Sequence, residues 1–134
     1  KDFQEMVKNY SLQEIKINEK LMCPYCMNVF ETEAHLQRIS LTTGKVDIVA
    51  SLPNNEFGEG ITLYKERIYQ LTWLSRKAYI YDLEGNLLRT LTYEGEGWGI
   101  TTDGERLYMS DGTATIRLIN PETLVTELKQ VLKV

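Results

Sequence analysis

"FGEGITLYKERIYQLTW" (57–73) is answered further along the chain by "GWGITTDGERLYMS" (97–110). Laid over one another at an offset of 39 (58 onto 97), Gly58/Gly97, Gly60/Gly99, Ile61/Ile100, Thr62/Thr101, Glu66/Glu105, Arg67/Arg106 and Tyr69/Tyr108 are identical. Ile68/Leu107 is a conservative exchange. After a one-residue gap, "YIYDLEGNLL" (79–88) lies over "RLINPETLVT" (117–126). A third copy stands upstream, where "RISLTTGKVDIV" (38–49) overlays "YIYDLEGNLLRT" (79–90). The chain therefore repeats with a period of about 40 residues. Within the shared Gly-x-Gly-Ile-Thr frame, position x is Glu59 the first time and Trp98 the second.

Each copy reads as strands. "ITLYKERIYQLTW" is a hairpin that turns at Lys65-Glu66. "AYIYDLEGNLLRTLTY" is a second, with Glu84-Gly85-Asn86 as turn residues. "GITTDGERLYMS" turns at Asp103-Gly104, a dipeptide suited to positive φ, and "TIRLINPETLVTELK" at Pro121-Glu122-Thr123. Four short strands in about 40 residues is the pattern of a β-propeller blade. A doubly wound α/β fold would place helical patterns between strands, and residues 36–134 carry none. The fold class read from the sequence is all-β: four-stranded antiparallel blades in an incomplete propeller of about two and a half to three blades.

Residues 1–35 fit the repeat less well. In "DFQEMVKNY" (2–10), Phe3, Met6, Val7 and Tyr10 share a helical face, and Asp2 with Glu5 has capping-box spacing, which allows a short N-terminal helix. "EIKINEKLM" alternates like a strand, and "MNVFETEAH" falls where a first, irregular blade would begin. The layout expected is one partial propeller domain over 1–134, with 1–35 irregular and 36–134 in repeated blades. Closed propellers have typically four to eight blades, so these repeats do not close a ring by themselves. A fragment, an association of copies and an open variant all satisfy that count.

Composition narrows the function classes. The chain has 134 residues, 43% hydrophobic and 25% charged, which suits one globular domain with a core. A net charge of −4 argues against nucleic acid as the main partner. No apolar run approaches a membrane span, and no signal-peptide pattern is visible.

The set "FGEGIT", "YQLTW", "GEGWGITTDG" and "YMSDGT", in that order and spacing, closely resembles the plant-type and bacterial glutaminyl-peptide cyclotransferases, over about residues 36–128. The resemblance implies a five-bladed propeller that converts an N-terminal glutamine to pyroglutamate with release of ammonia, without a metal or other cofactor. It places Glu59 as the proton-transferring catalyst and Trp73 and Trp98 as walls of the substrate pocket. It implies a peptide with N-terminal Gln as partner, a secreted or periplasmic location, and further pocket residues from later blades. Either those blades or other copies of the chain would complete the ring. The alternative is a shortened, non-catalytic propeller module that binds a peptide or a partner chain.

In a propeller, equivalent positions of successive blades converge on one cavity. A shared glycine frame then lets backbones approach closely, while x is free to be an acid in one blade and an apolar wall in the next. An indole beside the carboxyl group would disfavour its ionised form and raise the Glu59 pKa toward neutrality. Blander readings stand beside these: Glu59 as a solvated turn residue, and both tryptophans as core. Asp111 in "SDGT" reads as a turn cap, and Tyr69 and Tyr108 as packing residues. "CPYC" (23–26) matches a glutaredoxin tetrapeptide, yet the segment after it has poor helical periodicity. Cys23, Cys26 and His35 could supply three zinc ligands, one short of a structural site. A local disulfide or two ordinary thiols are the other readings.

Overall fold

The computed structural model describes residues 17–20 and 30–133. Every regular element among them is a β-strand. The helix expected within residues 2–10 lies outside the described residues, as do Cys23 and Cys26. The chain forms two compact units, Lys1–Asn55 and Glu56–Val134.

The first unit holds a three-stranded antiparallel sheet of β1 (Ile17–Lys20), β2 (Phe30–Ile39) and β3 (Val46–Ser51), in that order. β2 runs unbroken through 35/36, where the sequence repeat becomes clear. The β2–β3 turn closes when Gly44 N–H donates to Ser40 O and Ser40 N–H to Lys45 O, with Gly44 at φ 71°. Ala34, Leu36 and Leu52 are buried. His35 is also buried, with Nδ1 2.9 Å from Ser51 Oγ.

The second unit contains two four-stranded sheets. One is β4 (Gly58–Tyr64), β5 (Arg67–Thr72), β6 (Lys77–Tyr81) and β7 (Leu87–Thr92). The other is β8 (Ile100–Thr102), β9 (Leu107–Ser110), β10 (Thr115–Ile119) and β11 (Thr126–Val131). Both are up-and-down antiparallel sheets, so each repeat is a blade, and the fold is a partial all-β propeller.

Local chemistry explains the turns. Lys65 and Glu66 both have positive φ (46° and 60°), the requirement of a tight type I′ hairpin, here met without glycine. At the equivalent turn of the next blade Gly104 alone is positive, and Asp103 Oδ1 accepts from the N–H groups of Glu105 and Arg106. Asp82 and Asn120 organise the β6–β7 and β10–β11 turns in the same way, through carboxylate or amide oxygens that accept from backbone N–H groups.

The two sheets of this unit pack face to face. Tyr69, Leu71, Ala78 and Ile80 of the first meet Ile100, Leu107, Met109, Ile119 and Leu124 of the second. Burying each large side chain contributes on the order of 1.5–3 kcal/mol. Tyr69 and Tyr108, equivalent in sequence, differ here. Tyr69 is fully buried and its hydroxyl donates to Pro121 O of the second sheet. Tyr108 stands on a face that no further blade covers among the described residues. It is half-exposed and donates to Asp103 Oδ2 in its own hairpin.

Backbone joins the blades as well. Gly60 N–H donates to Trp98 O at 2.7 Å, tying β4 to the segment that leads into β8. A Cβ at Gly60 would sit 2.7–2.8 Å from Trp98 O, Gly99 Cα and Ile100 N, all backbone atoms that cannot swing aside. Gly60→Ala should therefore cost about 1–3 kcal/mol or more, the usual range for overpacking. Urea unfolding checks this, and a change under about 0.5 kcal/mol, the scatter of an ordinary surface substitution, would contradict so close a seam.

Candidate active site

The site grows from the seam. Glu59 precedes Gly60 on β4 and is half-buried. Trp73 follows β5, with its N–H donating to Phe57 O at 3.0 Å. Trp98 lies just before β8; its N–H donates to Ser110 O, and Gly97 N–H donates to Trp73 O at 3.2 Å. The stretches around residues 57–60, 72–73, 97–99 and 110 are thus stitched together by main-chain hydrogen bonds.

The indoles meet at a residue that the sequence reading did not single out. Trp73 Nε1 donates to Glu96 Oε2 at 2.7 Å, and Trp98 Nε1 donates to the same oxygen at 2.9 Å. Both tryptophans are surface residues, 37% and 50% exposed, which sets aside the reading of them as core. Phe57 meets Trp73 edge to face, with ring centroids 6.2 Å apart. Gly112 lies against the Trp98 ring, where a Cβ would come within 2.5–2.9 Å of three ring atoms.

Two carboxyl groups here are pushed in opposite directions. Burial raises the Glu59 pKa, as expected from the sequence, and no hydrogen bond or ion pair holds its carboxyl group among the described residues. The hydrogen bonds from Trp98 and Trp73 hold Glu96 below the usual carboxylate range. Tyr93, whose pKa burial raises, feels the charge of Glu59 and donates its hydroxyl proton to Thr72 O.

Arg117 supports the turn that carries Glu96. It is 4% exposed on β10, and its guanidinium donates to Glu94 O and, at 3.0 Å, to Glu96 O. Its Nε lies 3.6 Å from Asp111 Oδ2. Asp111 is a turn residue, as read from the sequence: Oδ1 accepts from Thr113 N–H and Thr113 Oγ1. The Thr113 side-chain hydrogen bond lowers its pKa first, with the Arg117 charge a smaller contribution.

Sequence signals for the two missed residues exist. Glu96 sits between glycines in "GEGWG", beside the tryptophan already singled out. Arg117 occupies an inward position of "TIRLI", in phase with buried Ile119, where a charge needs a partner. Of the three candidate zinc ligands only His35 is described, and it lies in the other unit. No cluster of three or more His, Cys, Asp or Glu suited to a metal occurs among the described residues. The broad depression between β7 and β11 is lined by Tyr93 but holds neither tryptophan nor Glu59.

A partial propeller with an unpaired, half-buried glutamate and two linked indoles along a glycine seam defines a class of protein, and comparison with known proteins identifies it. The family model described as glutamine cyclotransferase matches residues 28–134, and the chain belongs to this family. It is 36% identical over 104 residues to a glutaminyl-peptide cyclotransferase of Arabidopsis thaliana, which covers 75% of this chain and 32% of that relative. The crystal structure of Myxococcus xanthus glutaminyl cyclase superposes with a TM-score of 0.65 at 27% identity, over 78% of this chain and 47% of that one. The chain thus spans about a third to a half of the length of these relatives.

Replacing Arg117 by Met keeps the stem and removes the charge. It would leave Glu94 O and Glu96 O without their guanidinium donor and Asp111 without its cationic neighbour, and should cost about 2–4 kcal/mol in urea unfolding. A cost below about 0.5 kcal/mol, within the range of ordinary surface substitutions, would contradict the supporting role.

Proposed function

We propose that the chain is the part of a glutaminyl-peptide cyclotransferase that carries the catalytic acid–base group, acting on peptides with an N-terminal glutamine. The observation that carries this reading is Glu59: a half-buried carboxyl group with a raised pKa, on the seam beside Trp98. A general acid–base group works best when its pKa lies near the working pH. In the proposed step the neutral α-amine of the substrate attacks its own side-chain amide carbon. A ring C–N bond forms, and the amine gives a proton to the Glu59 carboxylate. Glu59 then delivers that proton to the amide nitrogen, whose C–N bond breaks, and ammonia leaves. Every proton is returned and no oxidation state changes, so the step needs no oxidant. Trp73 and Trp98 supply flat apolar walls that keep bulk water from the reacting groups.

A second reading is favoured by one observation. The face of β8–β11 that bears Tyr108, Ile116 and Leu118 is only half-covered, and Leu128 on it is 59% exposed. The corresponding face of β4–β7 forms the core. In this reading the chain is a non-catalytic module that docks a peptide, another copy or a partner chain on that face.

Ammonia release from a Gln-initiated peptide, with a chelator present, separates the two. The first reading predicts turnover that Glu59→Gln lowers by about 10²–10⁴-fold, the usual contribution of a general acid–base group, with the fold intact. Turnover that survives Glu59→Gln would remove Glu59 from the role. Folded wild-type protein without turnover, associating in sedimentation, would favour the second reading.

A further inference from the structure

We infer that Glu96 is a positioning residue that joins Trp73 and Trp98 into one wall. The inference rests on the proposed reading that these indoles line the substrate pocket. Trp73 and Trp98 come from different sheets, and neither is fixed by burial, since each leaves more than a third of its surface exposed. Trp73 packs against the edge of Phe57, and Trp98 lies against Gly112. What they share is a single oxygen, Glu96 Oε2, which accepts both indole N–H groups at 2.7 and 2.9 Å.

A carboxylate suits this task. It offers several lone pairs and no proton, so one oxygen can accept two N–H donors, and its charge strengthens both bonds. A glutamine could accept through its oxygen, but without the charge and with an NH2 group that must be turned away from two donors. Glu96 is itself anchored. Its carbonyl is held by Arg117, and Gly97 N–H is tied to Trp73 O. The anchor runs from Arg117 through the 94–97 turn to the carboxylate and from there to both rings. Walls fixed in advance lose less freedom when a peptide enters, which appears as affinity more than as rate of the chemical step.

The chain contains two tryptophans, so the indole N–H region of its NMR spectrum reports on this arrangement alone. Glu96→Ala should move both indole signals and speed their exchange with water, while the backbone signals of β5 and β9 stay in place. Glu96→Gln should leave both signals between wild type and Glu96→Ala. Glu96→Ala should also weaken binding of a Gln-initiated peptide about tenfold, raising KM with little change in kcat. Indole signals that stay put in Glu96→Ala, or of which only one moves, would overturn the inference. The pocket reading fails separately: wild-type indole signals that ignore the peptide count against it, while a joint response to Glu96→Ala still establishes the clamp.

Discussion

The hydrogen bond from Gly60 N–H to Trp98 O is the contact on which the rest of the site depends. It brings β4 of one blade against the entry to β8 of the next at 2.7 Å, closer than any side chain at Gly60 would permit. Glycine is used there for space. Gly60 belongs to the part of the repeat that cannot vary, and its neighbour Glu59 to the part that can. Because the backbones touch, whatever stands at the variable positions is brought to the same seam. That geometry constrains the glycines and leaves position x free, so one frame can carry an acid in one blade and an indole in the next.

The seam also gives two glutamates different electrostatic environments. Glu59 loses water without gaining a partner, so its charged form is disfavoured. Glu96 gains two N–H donors, so its charged form is favoured. Under the proposed function, a pair of carboxyl groups pushed apart in this way would divide the labour, Glu59 exchanging the proton and Glu96 staying a fixed anion. Arg117 contributes from below, a buried cation whose donors go to main-chain carbonyls of the turn carrying Glu96.

Much of this was legible in the sequence because propeller blades repeat. The offset between the Gly-x-Gly frames, the hairpin turns at Lys65-Glu66 and Pro121–Thr123, and the all-β class all follow from comparing the chain with itself. Glu59 and Trp98 could be picked out by their place in the repeat and, with Trp73, by the family resemblance. Glu96 and Arg117 left only weak signals, a glutamate between glycines and a charge in phase with apolar strand residues. The contacts that define their roles, Glu96 with Trp73 and Arg117 with the carbonyls of Glu94 and Glu96, join segments whose approach only the folded sheets decide. Tyr69 and Tyr108 show the converse limit. Identical positions in two copies differ in burial because one faces a neighbouring blade and the other does not.

The most direct test of the account is a carbon-detected NMR titration of the side-chain carboxyl groups of Glu59 and Glu96 in the folded chain. The account predicts that Glu59 titrates above the exposed glutamates and Glu96 below them, and that Glu96 rejoins the exposed group when both tryptophans are replaced by phenylalanine. Glu59 titrating together with the exposed glutamates would contradict it, because a carboxyl group left fully in water has no reason to serve as the proton carrier of this site.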